Sequence, residues 1–200
     1  MRVTTAERSY HHGNLRAALL TAAAQALEAG EELSMRAVAR RAGVSPAAPY
    51  RHFADREALD SALAVEGFDR LRAELDAALA DVPDSSPAGD VVATLAVAYV
   101  RFALRHPASF RLMFGHECDE ADSERVRAAG RLHEMLLDVV RRLFPRSDAT
   151  SLSRGLWSLA HGLAFLHLDG KLRPDPAADV DERVRASIAA VLTVNEGEHP

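Results

Sequence analysis

Between Ser34 and Phe53 the chain reads SMRAVARRAGVSPAAPYRHF, so that a hydroxyl, several arginines, a tyrosine and a histidine stand on two short helical patterns joined by a glycine. These are the side-chain types that meet DNA. An arginine fork fits the O6 and N7 of guanine, and hydroxyl, phenol and imidazole groups donate to phosphate oxygens. The local signals place them. Ser34 is set as the N-cap of the first helix, Leu33 as the staple partner of Val38, and Val38, Ala39 and Ala42 as the buried face. Gly43 supplies the left-handed residue that ends this helix, Val44 fills the corner, and Ser45 with Pro46 opens a second helix as N-cap and first helical residue. The pattern is a helix-turn-helix.

Pro49 falls where the first intrahelical hydrogen bond would be donated, so that bond must be absent and the second helix is short. Its leading edge, Pro46, Ala47, Ala48 and Pro49, has no long side chain, which lets backbone and methyl groups approach base edges and thymine methyls. Tyr50, Arg51 and His52 follow within one turn, and Phe53 points back to the core. Three such residues in succession cannot all be buried on one short helix. That weighs against two packed helices with a merely solvated basic face.

The same residues resemble the DNA-binding domain of the tetracycline-repressor (TetR) family of bacterial transcription regulators. The likeness begins at Tyr10-His11-His12-Gly13-Asn14-Leu15 and runs through Phe53-Ala54-Asp55-Arg56-Glu57-Ala58-Leu59, about a quarter of the chain. It implies that the second helix lies in the major groove with Ser45, Pro46, Ala47 and Ala48 at the bases, and that Arg36 reaches a base. Ser34, Tyr50, His52 and Arg56 match positions that hold phosphates. Arg51 matches a variable position with either role, and His11 and His12 are added as DNA contacts at the start of the domain. Because Ala47-Ala48-Pro49 lacks a hydrogen-bonding side chain, DNA shape and methyl contacts carry more of the readout.

Composition bounds the rest. Two hundred residues, 48% hydrophobic and 26% charged, can bury the cores of one small and one larger domain. A net charge of -5 argues against indiscriminate coating of nucleic acid, yet residues 1–56 hold eight arginines against five acids, a local basic footprint. The only lysine is Lys171, and alanine is abundant, a usage associated with GC-rich bacterial genomes. One cysteine, Cys118, allows no internal disulfide. No apolar run spans a membrane and no signal peptide precedes Tyr10, so the expected location is the cytoplasm, without membrane partners.

Helical periodicity dominates and no strand pattern persists, so the expected class is all-α: a three-helix DNA-binding domain over residues 1–56 and a helical bundle over 57–200, about nine helices in all. Asp55 caps a long helix with Leu59, Leu63, Leu71, Leu75 and Leu79 on its apolar side, ending at Val82-Pro83. After the loop 84–89 come helices over Asp90 to Arg105, a short one opened by Pro107, Ser123 to Phe144, Ser147 to Leu168 and Val180 to Val194, with a turn at Pro174-Asp175-Pro176.

The string LWSLAHGLAFLH, Leu156 to His167, resembles a C-terminal subtype of the family marked by tryptophan, histidine and glycine at this spacing, which implies a domain for ligand binding and dimerisation. Trp157 and His161, four apart, share a helix face where an indole and an imidazole can line a pocket or can equally be core. Gly162 beside them lets another helix or a ligand come close. Phe110, Met113 and Phe114 on the short helix carry the same two readings, as does His133. The expected partners are an approximately palindromic double-stranded operator, a second copy of the chain paired through the last two helices, and a small-molecule effector. No cofactor is expected.

Other classes fit less well. His116-Glu117-Cys118-Asp119-Glu120 packs metal-ligand types together, but adjacent side chains diverge, no second cysteine or histidine pair stands at metal spacing, and Cys118 has no resolving partner. A metal- or redox-responsive regulator and a helical interaction protein without DNA activity remain the alternatives. No nucleophile elbow, phosphate-binding glycine loop or HExxH points to an enzyme.

Overall fold

The structure, a computed structural model, describes residues 11–115, 123–172 and 180–196. It is all-helical: α1 (His11–Glu28), α2 (Met35–Arg41), a 3-10 helix (Pro49–Arg51), α3 (Arg56–Ala80), α4 (Ala88–Arg105), α5 (Pro107–Phe114), α6 (Ser123–Leu143), α7 (Ala149–Leu168) and α8 (Val180–Glu196). Among the described residues there are thus eight α-helices and one 3-10 helix, and no strand. The turn at Pro174-Asp175-Pro176 and the segment from His116 to Glu120 lie outside the described residues.

The chain divides into two compact units. The first takes in Met1–Gly67 together with Ala108–Val126, and the second Phe68–Pro107 together with Arg127–Pro200. Where the sequence places a boundary after Arg56, the contacts gather the start of α3 and α5 from Ala108 onward with the first unit.

In the first unit Leu19, Leu20, Ala23 and Ala26 of α1 meet Leu33, Met35 and Val38, then Phe53, Leu59 and Leu63, with Leu112 of α5 packed against them. Capping accounts for the helix ends. Ser34 Oγ accepts from the Ala37 amide at 3.2 Å, and Asp55 Oδ1 accepts from Ala58 at 2.9 Å to start α3. Gly43, at φ +69°, closes α2: Val44 N–H donates to the Ala39 carbonyl and Gly43 N–H to Arg40, which satisfies carbonyls that would otherwise be orphaned. Helix α5 is held at both ends. The Glu28 carboxylate accepts from the amides of Ala108 at 3.1 Å and Ser109 at 2.9 Å. The buried Arg125 guanidinium donates to the carbonyls of Leu112 and Met113 at 2.9 and 3.1 Å. Negative charge at the first amides and positive charge at the last carbonyls both suit the helix dipole.

In the second unit α4 packs along α8 and α7. Ten of its eighteen residues are buried, the pattern of a central helix rather than a surface one. Leu156, Ala160, Leu163 and Ala164 of α7 and Val184, Ile188 and Leu192 of α8, at spacings of three and four, share this core. Asp148 caps α7, accepting from Thr150 and Ser151. Arg101 pairs with Asp181, and Arg131 with Asp69 at 2.7 Å.

Candidate nucleic-acid interface and ring cluster

The second helix of the motif differs from the sequence expectation. Ser45 and Pro46 do not open an α-helix. Residues 46–48 form a turn, with Ala48 N–H donating to the Ser45 carbonyl at 2.9 Å, and the helical segment is the 3-10 helix Pro49–Arg51, which has Pro49 at its first position. The cause is Pro49: Pro46 stands where a helix needs no donor, but Pro49 has no amide for the first ladder bond of an α-helix over this stretch, and tighter three-residue bonds, Ala48 N–H to Ser45, Arg51 N–H to Ala48 and His52 N–H to Pro49, form instead. One bond of α-helical reach survives, Phe53 N–H to the Pro49 carbonyl at 3.0 Å.

This geometry sorts the candidate DNA contacts. Ser45, Pro46 and Ala47 are exposed, as are Arg36, Arg51 and Arg56. Tyr50 is 55% exposed, which leaves its ring and hydroxyl open to solvent. His52 and Ser34 are half-buried. Ala48, 9% exposed, and Pro49 turn inward, which leaves Ala47 as the outward methyl of the pair. Phe53 is 3% exposed, in the core as expected, with the Arg16 guanidinium 5.5 Å from its ring centre. His11 and His12 open α1, but their side chains are outside the description.

The arginines are not equivalent. Arg41 Nη1 is bound to Glu31 at 2.9 Å, and Arg56 Nε lies 2.7 and 2.9 Å from the two carboxylate oxygens of Asp60, so part of each charge is already met. Arg36, Arg40 and Arg51 are exposed and form no ion pair among the described residues. Arg40, four residues after Arg36 and therefore on the same side of α2, is a cation that the sequence reading passed over.

A second constellation lies within the second unit. Trp157 and His161, half-buried on α7, have ring centres 5.7 Å apart. His133 of α6 meets the Trp157 ring edge-on at 6.2 Å, and Phe165 lies 4.8 Å from His161. At the centre is Tyr99 of α4, 4% exposed, whose hydroxyl is 2.8 Å from His161 Nδ1 and 3.4 Å from Trp157 Nε1. Tyr99 was not among the sequence candidates. The available signal was a tyrosine within the apolar run Leu95 to Val100, where a buried hydroxyl requires a partner. Burial pushes the Tyr99 phenol above its ordinary range, against a smaller opposing effect of the Trp157 hydrogen bond, and burial lowers His161 below 6.5.

The other expected lining residues sit in the first unit. Phe110 and Met113 are fully buried, and Phe114 packs on Phe110 with ring centres 4.9 Å apart. Met113 lies over Gly67 so closely that a Cβ there would come within 2.6 Å of its sulfur. At Gly162 no atom approaches: a Cβ would find nothing within 4 Å, nor would one at Gly155, seven residues earlier on the same side of α7. Among the described residues, no other helix takes up the open approach that Gly162 allows. Among the described residues, no three His, Cys, Asp or Glu side chains are grouped as metal ligands would be. No described helix is long and apolar enough to cross a membrane.

Residues 19–63 match the family model described as bacterial regulatory proteins, tetR family. Residues 92–191 match the one described as tetracyclin repressor-like, C-terminal domain. A Rhodococcus sp. RHA1 protein of unknown function is 38% identical in sequence, with 94% of this chain and 98% of that chain covered and a TM-score of 0.81. The fold is shared with a TetR family transcriptional regulator, PfmR, from Thermus thermophilus, at 21% identity, 91% and 99% coverage and a TM-score of 0.63. It is also shared with a TetR-like transcriptional regulator from Rhodococcus sp. RHA1, at 17% identity, 98% and 100% coverage and a TM-score of 0.66. No curated protein gives a significant match.

Proposed function

The chain belongs to the tetracycline-repressor family of transcription regulators, and on that premise we propose that it is a ligand-responsive repressor that binds an approximately palindromic operator as a homodimer. The observation that carries the DNA-binding part is the outward side-chain set of the helix-turn-helix. Arg36 reads a base, Arg51 and Tyr50 flank it, and Ser34 and His52 hold phosphates, while the buried side of the same segment is committed to the core. Ser34 can serve its phosphate while capping α2, because a hydroxyl accepts from the Ala37 amide and still has its own proton to give.

Two copies pair through α7 and α8. Leu166 is 43% and Val191 48% exposed, and the space over Gly155 and Gly162 is open, so apolar and small residues await a covering surface. The C-terminal part is of the subtype marked by Trp157, His161 and Gly162, and the effector, a small molecule, binds at the ring cluster with His133 at its side. It acts by preferring the state in which the two reading heads are wrongly spaced, and it shifts the balance only by its difference in affinity for the two states. Helix α3, which contributes residues to both units, is the lever.

A nuclease footprint on the DNA flanking its own gene tests the reading. Protection of a near-palindrome is expected, with affinity that falls steeply as salt rises because phosphate contacts release counterions. Absence of a protected site, or binding indifferent to salt, would overturn it.

A further inference from the structure

Arginine side chains of the first unit are held in two ways. Arg41 and Arg56 lie against the carboxylates of Glu31 and Asp60, which place each guanidinium and also cancel part of its charge. Arg16 of α1 is held by a ring instead. Its guanidinium carbon stands 5.5 Å from the centre of the Phe53 ring, and the exposed side chain forms no ion pair among the described residues. An aromatic face attracts a cation through its quadrupole and takes neither its charge nor its N–H donors. The contact therefore places the guanidinium and leaves it able to bind an anion.

The position of that ring points to the anion. Phe53 follows directly on the 3-10 helix and His52, and the His52 ring lies 6.4 Å from the Phe53 ring. Arg16 and His52 thus border one ring, the first from α1 and the second from the segment on which Tyr50 and Arg51 are exposed. No acid occurs in α1 before Glu28 or in residues 45–53. We infer that Arg16 is a further DNA contact: stacked on Phe53, it binds a backbone phosphate beside the one held by His52, so that α1 grips the strand that the helix-turn-helix reads. The inference rests on the DNA-binding reading above. A guanidinium placed by folding has less freedom to lose on meeting a phosphate than an unsupported arginine has. Its contact adds affinity and register and carries no base information.

The test is binding of the full chain to a fluorescein-labelled duplex of arbitrary sequence, followed by anisotropy from about 50 to 200 mM salt. Each phosphate contact contributes about 0.9 to the slope of log affinity against log salt, so Arg16→Gln should flatten the wild-type slope by about that amount per protomer bound. Arg41→Gln removes the same charge from a guanidinium already paired and should leave the slope as it is. Arg16→Lys, which keeps the cation, should retain the wild-type slope. A slope unchanged in Arg16→Gln, with only a lower urea midpoint, would reduce the Phe53 contact to fold stability and overturn the inference. Equal flattening in Arg41→Gln, or a slope lost in Arg16→Lys, would overturn it as well. Should Arg16→Gln fail to fold, the wild-type Arg16 Nε–H resonance, identified with Arg16→Lys, decides: it should move when the duplex is added and return at high salt, and a resonance that stays in place sinks the inference. Wild type without salt-dependent binding removes the DNA-binding reading and the inference together, whereas a steep wild-type slope that Arg16→Gln leaves untouched removes the inference alone.

Discussion

Arginines that look alike in the sequence have different surroundings. Arg36 and Arg41 are both exposed on α2, but Arg41 is bound to Glu31 and Arg36 is not. Arg36→Ala should therefore lower discrimination at one operator base pair by about 1–3 kcal/mol, and Arg41→Ala should leave sequence preference unchanged, as read by anisotropy against operators substituted one pair at a time. Equal effects of the two would contradict the base-contact role. A second residue-scale expectation concerns protons. Burial lowers the His161 and His167 imidazoles below 6.5 in the folded chain, so the folded state favours their neutral forms. The stability linked to them is complete above 6.5 and is lost as pH falls through the lowered folded values. The urea midpoint should decline over that acidic window, and less so in His161→Gln. A decline of the same size in the variant would remove His161 as its source.

The elements show how far local rules reach. Ser34, Gly43 and Asp55 act as the helix signals predict because a cap or a left-handed turn involves residues within a few positions of each other. The second motif helix shows their limit. Ser45-Pro46 is a good helix opening in isolation, but Pro49 three residues later removes the donor of the first ladder bond, and the segment settles into a 3-10 turn. Helix α5 depends on a partner that its own neighbourhood cannot reveal, the Glu28 carboxylate 80 residues earlier. Glu28→Ala should free the Ala108 and Ser109 amides, speed their hydrogen exchange severalfold and cost roughly 0.5–2 kcal/mol, the usual loss on removing a helix-capping acceptor. Unchanged exchange at both amides would show that the carboxylate does not hold the helix.

At the scale of the molecule, the exposed apolar residues of α7 and α8 carry the proposed pairing. Leu166→Glu combined with Val191→Glu should shift the chain from dimer to monomer in sedimentation equilibrium while helicity is retained, with loss of operator affinity because one reading head engages only half a site. Dimer that persists unchanged would place the interface elsewhere.

The amino-acid sequence by itself determined the helical class, the helix-turn-helix with its Ser34, Gly43 and Asp55 signals, and the exposure of Tyr50 and Arg51, because period, capping and turn chemistry act over one or two turns of chain. It brought Trp157 and His161 together for the same reason, being four residues apart. Only the tertiary structure decided that Ala48 turns inward, that Arg41 is paired while Arg36 is not, and that Tyr99, 62 residues before His161, stands at the centre of the rings. Which buried hydroxyl finds which ring nitrogen is set by how α4 packs against α7, and many sequences with the same periodicity could pack those helices with other residues facing.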